Sequence, residues 1–259
     1  MKLGIENKRA IICGGSKGLG LACAKALLDE GCLVTLISRS QENLDKAKKD
    51  LGAGDKCRLF SADISTSSGV EKCLKDITSS GGADILVYNT GGPQVGGVLD
   101  HSDEAWMTND EALLQSCRRI MQGVVPFMRN KKWGRIIAIT SIVVREPARN
   151  LALSSVYRAA VTAYCKLLAK ELAADNITVN AVMPGSFLTE RTEYLMGKRA
   201  ESEQKSIEEV MKTRKEQLPQ GRFQKPEELG TLVAFLSSVQ ACSITGTSIP
   251  VDGGLMVSI

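Results

Sequence analysis

The sequence predicts an α/β protein built on one doubly wound, seven-stranded parallel sheet with helices on both faces. Three observations predict it. Short apolar, β-branched runs alternate with longer stretches of helical period along the 259 residues. The first of these runs leads straight into a glycine-rich turn that opens a helix. A hydrophobic content of 43% suffices for one substantial core, and no repeat or low-complexity tract marks a second unit. The chain 1–259 is therefore read as a single domain.

The elements follow in order. RAIIC at 9–13 is the first strand, and the glycine turn behind it opens a helix over 19–30. LVTLIS at 33–38 precedes a helix over 41–51, whose QENLDKAKKDL interleaves acids and bases as a solvated helix face does. CRLFSA at 57–62 leads to a helix over 67–79, and DILVYN at 84–89 to a long helix over 103–130. GRIIAITS at 134–141 and a helix over 154–174 come next. ITVNAVM at 177–183, a helix over 227–237 and TSIPV at 247–251 complete the series. Near-continuous apolar runs suit strands covered on both faces. The charged interruption at 186–226, between the last two strands, is read as a lid.

Composition removes several classes. Eight cysteines stand with no two closer than nine positions, so there is no CxxC pair, no zinc-ligand spacing and no compact disulfide framework. That predicts a reduced, cytoplasmic protein without a metal. No signal-peptide core or membrane-length apolar run is present. A formal charge of +4 with bases and acids interleaved predicts no nucleic-acid partner.

The turn CGGSKGLG carries the first functional signal. Gly14, Gly18 and Gly20 allow a tight turn and close backbone approach, so a pyrophosphate can rest on free N–H groups at the helix start. Ser16, Lys17 and Leu19 lie within the same turn and are assigned to the site with it. About 20 residues on, an acid would bond the ribose of NAD, but the second strand ends in Ser38 followed by Arg39. Two cations, Lys17 and Arg39, with no carboxylate suit a 2′-phosphate. The reading is a Rossmann-type NADP(H) site.

With the GxxxGxG turn followed in order by ADIS, YNTGG, ITS and MPGSFLT, the chain resembles the short-chain dehydrogenase/reductase family over nearly its whole length. The likeness is to a divergent member near the 3-oxoacyl-(acyl carrier protein) reductases. It implies that Asp63 and Ile64 flank the adenine, that Asn89 and Gly91 line the cofactor, and that Pro184, Gly185 and Thr189 meet the nicotinamide end. It also implies a homotetramer, paired through the helices over 103–130 and 154–174 and through the C-terminal strands.

The family's tetrad of Asn, Ser, Tyr and Lys is met at one position only. The fifth strand places Ser141 at the serine, and two independent counts put Leu113 at the asparagine. Ungapped alignment of the later helix puts Ser154 at the tyrosine and Arg158 at the lysine, on one helical face. Tyr157 is out of register but rotated only about 60° from Ser154. Arginine can bond ribose hydroxyls and present positive charge as lysine does, but it does not titrate. The resemblance therefore implies an NADP(H)-dependent oxidoreductase acting on a carbonyl or alcohol through Ser141, Ser154, Tyr157 and Arg158, with Tyr157, Ser141 or water as proton donor. The alternative is an inactive NADP(H)-binding protein with a sensing or assembly role. Arg145, Arg149, Arg158, Arg191 and Arg199 around the expected mouth suggest a small anionic substrate. His101, the sole histidine, is read as a solvent-facing loop residue.

Overall fold

The computed structural model describes residues 2–258. Seven strands, β1 (Arg9–Cys13), β2 (Leu33–Ser38), β3 (Cys57–Ser61), β4 (Ile85–Tyr88), β5 (Gly134–Ile139), β6 (Ile177–Pro184) and β7 (Ser248–Val251), form one sheet. Their order is β3-β2-β1-β4-β5-β6-β7, and every pair is parallel. Progress along the sheet reverses between β1 and β4. Such a reversal opens a crevice at the carboxyl ends of the strands, where doubly wound sheets bind ligands.

Each face carries its own apolar cluster, which is why the strands read as continuous apolar runs. On one face α3 (Ser67–Ser79), α5 (Ser116–Lys131) and α6 (Ala152–Leu172) bury residues such as Val70, Ile120, Val124, Cys165 and Leu168. On the other, α1 (Gly18–Asp29), α2 (Gln41–Leu51) and α9 (Pro226–Leu236) bury Cys23, Leu27, Leu44, Leu229 and Val233. The 186–226 segment holds two further helices, α7 (Glu190–Glu203) and α8 (Ile207–Glu216).

One expected element differs. The long helix predicted over 103–130 is α4 (Asp103–Asn109) and α5 joined by a π-helical stretch over Asp110–Gln115. The widening falls where Tyr88, at the end of β4, presses its hydroxyl onto the Ser116 hydroxyl. The same tyrosine lies 3.4 Å from the carbonyl of Ala112. A polar group from the strand thus competes for the helix's own bonding groups where the stretch widens.

The glycine turn meets α1 at van der Waals limits. A Cβ on Gly20 would stand 2.1 Å from the Gly14 carbonyl oxygen and 3.0 Å from Asn89 Nδ2. Gly197, inside α7, faces open space. Gly20→Ala is therefore expected to lower the unfolding free energy by about 1–3 kcal/mol through overpacking. Gly197→Ala should raise it by up to about 1 kcal/mol through helix propensity. Urea denaturation of both variants checks the pair, and equal effects would contradict the close approach at Gly20.

Candidate functional site

A cleft of about 720 Å³ opens at the carboxyl ends of the strands on either side of the reversal. Its floor at one end is the glycine turn, with Gly14 at φ +59° and Gly18 at φ +52°. Helix α1 starts there without a side-chain cap and without an acid in its first turn. The neighbouring α2 and α3 are capped by the hydroxyls of Ser40 and Thr66. Uncapped N–H groups at the start of a twelve-residue helix form a site for an anion. Asn89 donates through Nδ2 to the Gly14 carbonyl at 3.3 Å and so ties the end of β4 to the turn. Ser16, Leu19 and Gly91 also line the cleft, and Gly91 faces open space.

The end of β2 offers no carboxylate. Ser16 and Ser38 join their hydroxyls at 2.9 Å, and Arg39 beside them is exposed. Among the described residues Arg39 makes no ion pair. Asp63 and Ile64 line the same end, with Asp63 accepting from the Ser65 amide at 3.0 Å and from its hydroxyl at 2.6 Å. Asn43 joins them in the wall, a residue the sequence pattern did not single out.

Lys17 departs from expectation. Its ammonium lies 3.0 Å and 3.1 Å from the two carboxylate oxygens of Glu190, the first residue of α7. The 186–226 segment folds back over the glycine turn and supplies the acid, an arrangement that strand and helix patterns cannot reveal. Both partners are well exposed, at 48% and 72%, so the pair contributes about 1 kcal/mol at most.

At the other end Ser141, Ser154, Arg158, Leu113, Pro184, Gly185 and Thr189 all border the cleft. Ser141 accepts from the Val143 amide at 3.3 Å, and Thr189 caps α7 by accepting from the Thr192 amide at 3.3 Å. Arg158 donates to the Ile139 carbonyl at the end of β5, 2.8 Å away. Desolvation brings its pKa down to about 10, and the charge of Arg191 contributes to that lowering. The guanidinium nonetheless stays protonated at neutral pH. The fit to a dinucleotide is good: an uncapped helix start, a glycine turn in close approach, free cations and an open wall at Gly91 occupy one continuous cleft.

Tyr157 corrects the sequence reading. It does not border the cleft: its hydroxyl donates to the Trp106 carbonyl at 2.7 Å, and its ring leans on Trp106 at 5.8 Å. The 60° rotation away from Ser154 is enough to send it to the α4 side. Burial is the larger of two causes that raise its pKa, with Asp110 the second. His101 is half-buried rather than solvent-facing, because its ring stands edge-on to Trp106 at 6.3 Å. Arg145 and Arg149 are exposed and lie outside the cleft, while Arg199 pairs with Glu203 at 2.6 Å. Of the mouth arginines only Arg158 and Arg191 border the cleft.

Asn109 is the residue the sequence comparison missed at this end. It stands four positions before Leu113, is 8% exposed, borders the cleft and donates to the Ala105 carbonyl at 2.8 Å. Its signal was visible only as an asparagine one turn upstream of the expected position. The π-helical stretch is what sets its register.

A sequence profile described as enoyl-(acyl carrier protein) reductase matches residues 14–256. The chain is 32% identical over 254 residues to the 3-oxoacyl-[acyl-carrier-protein] reductase FabG of Vibrio cholerae, covering 98% of this chain and 99% of that one. The chain belongs to the short-chain dehydrogenase/reductase family. Among other members it is 31% identical to a D-beta-hydroxybutyrate dehydrogenase of Cupriavidus necator, over 96% of this chain and 98% of the relative. The L-sorbose reductase of Gluconobacter frateurii, solved with NADPH and L-sorbose, superposes with a TM-score of 0.93 at 32% identity and full coverage of both chains. Actinorhodin polyketide ketoreductase, solved as a single-residue variant with NADPH, does so at 0.92 and 29% identity, covering 97% of this chain and 98% of that one.

In this member of the family Tyr157→Phe removes a hydrogen bond to Trp106 and nothing at the cleft. The expected outcome is a loss of about 0.5–1.5 kcal/mol in unfolding free energy. Nucleotide affinity, followed by fluorescence titration, should be unchanged. A large drop in that affinity would place the phenol in the site after all.

Proposed function

We propose that this short-chain dehydrogenase/reductase is an NADPH-dependent oxidoreductase that reduces a carbonyl compound, or oxidises the corresponding alcohol, with an altered set of side chains at the reaction end. The observation that carries the reading is that Arg158, Ser141 and Ser154 converge on the same cleft as the uncapped start of α1. NADPH solved with the sorbose reductase and the ketoreductase supports the choice of nucleotide.

Each part of the cleft has its own task. The first-turn amides of α1, with Gly14, Ser16, Gly18, Leu19 and Gly20, hold the pyrophosphate. Arg39 takes the 2′-phosphate, and Lys17 joins it when the pair with Glu190 opens. Asp63 and Ile64 border the adenine, Asn89 and Gly91 the middle of the cofactor, and Pro184, Gly185 and Thr189 the nicotinamide end. When bound, NADPH supplies a hydride. Arg158 bonds the adjoining ribose and presents fixed positive charge to negative charge developing on the substrate oxygen. Ser141 donates a hydrogen bond to that oxygen, and the proton comes from Ser141 or an ordered water, since Tyr157 is held elsewhere. The 186–226 segment acts as a lid latched by Lys17 and Glu190.

A second reading, an NADPH-binding protein without turnover, draws on one specific observation. Among the described residues no histidine, cysteine or tyrosine borders the cleft, and the titratable groups that do, Asp63, Glu190 and Lys17, are bonded to Ser65 or to each other. Eight free cysteines, seven of them buried, support a reducing compartment, the cytoplasm. Exposed Met107 on α4, and Val156 and Leu167 on α6, support a homotetramer formed through those helices.

Calorimetry with NADPH and NADH tests the assignment. NADPH should bind roughly tenfold to a hundredfold tighter, as one charge-assisted contact of about 1.5–3 kcal/mol allows, and Arg39→Ala should remove most of the difference, leaving only what Lys17 adds. Equal affinities in the wild type would refute it. A panel of ketones and aldehydes with NADPH then separates the two readings, since tight binding with no consumption favours the protein without turnover.

A further inference from the structure

The reaction end of the cleft carries two guanidinium groups and, among the described residues, no acid paired with them. Arg191 reaches from α7 across the opening and donates to the Pro93 carbonyl at 2.6 Å. Its guanidinium lies flat against the loop after β4, 2.7 Å from where a Cβ on Gly92 would stand. The Tyr194 ring supports it from below at 5.2 Å. Arg158 is fixed by the Ile139 carbonyl at 2.8 Å. Neither arginine makes an ion pair among the described residues. Each guanidinium has five N–H donors, of which a single one is committed to a carbonyl.

The two carboxylates that border the cleft are engaged elsewhere. Asp63 is bonded by Ser65, and Glu190 by Lys17. The lining of the cleft that holds both arginines includes the apolar side chains of Leu113, Leu151, Phe187 and Leu195 beside the hydroxyls of Ser141 and Ser154. Both guanidiniums line one cleft, and the charge of Arg191 is felt at Arg158; an anion bound by both relieves that repulsion and engages their uncommitted donors. The cofactor's phosphates are matched by the uncapped start of α1 and by Arg39, at the far end.

We infer that Arg191, together with Arg158, forms a carboxylate subsite, and that the substrate is a small oxo acid whose carbon chain lies on the apolar side chains of the lining. The inference rests on the reading that the cleft holds NADPH and a carbonyl compound. It adds the charge of that compound and the residue that selects it. Arg191 is a specificity residue: it orients the substrate from the lid side while Arg158 serves both ligands.

The test is calorimetric titration of the NADPH-loaded protein with pyruvate, levulinate and 5-oxohexanoate, each beside its methyl ester. At least one acid should bind about tenfold tighter than its ester or more. In Arg191→Met that preference should fall to about twofold or less, with NADPH affinity unchanged, and Arg191→Lys should restore part of it. The thermal midpoint of each variant confirms that it is folded. Esters binding as well as acids throughout, no acid binding at millimolar concentration, or an Arg191→Met that keeps the preference would overturn the inference. So would an Arg191→Met that weakens NADPH and leaves the acid preference intact, for then the residue serves the cofactor. In all of those cases wild-type NADPH binding stands, whereas its absence would bring down the function reading itself.

Discussion

The Arg158 guanidinium, held by the Ile139 carbonyl and without an acidic neighbour, is the constraint around which the reaction end is arranged. A desolvated charge is costly unless it is paired or bonded. The fold offsets that cost by setting the charge in the wall of an open cleft, where water or a ligand can reach it. Desolvation brings this arginine down from its ordinary value to about 10, which leaves it charged. A lysine, ordinarily near 10.4, would be driven toward neutrality by the same surroundings. Arginine at this position therefore keeps a permanent charge where lysine would titrate. With no tyrosine in the wall, there is no phenol whose ionisation the cation would need to assist.

The cofactor end rests on a different arrangement of bonds. The start of α1 leaves its amides free, while α2 and α3 satisfy theirs with Ser40 and Thr66. The turn that makes this possible is pinned by Asn89 and packed so closely that Gly20 admits no side chain. The Lys17–Glu190 pair then links this rigid end to the 186–226 segment, and through Arg191 the same segment reaches the reaction end. A single helix start thus touches both halves of the cleft. In the proposed function, closure over a nucleotide and contact with a substrate would be coupled through the two neighbouring residues Glu190 and Arg191.

The strands were legible because their signal is local. A strand covered on both faces reads as an apolar run, and all seven runs fall on observed strands. The glycine turn was legible for the same reason, since spacing and conformational need coincide within a few residues. Ser141, Ser154 and Arg158 were placed by counting from those runs, and all three border the cleft. What could not be read depends on contacts between distant segments. Lys17 meets an acid 173 positions away, and Tyr157 meets a carbonyl 51 positions earlier. Asn109 takes its place through a π-helical stretch that Tyr88 imposes from another element. Helical period alone cannot supply that register.

The proposal that this site uses a fixed guanidinium in place of a tyrosine–lysine pair is most directly tested by a crystal structure of the NADPH complex. The account predicts the Arg158 guanidinium on the ribose next to the nicotinamide, Ser141 facing the nicotinamide ring, and the Tyr157 hydroxyl still on the Trp106 carbonyl. A Tyr157 swung over the nicotinamide, with Arg158 turned away from the ribose, would contradict it.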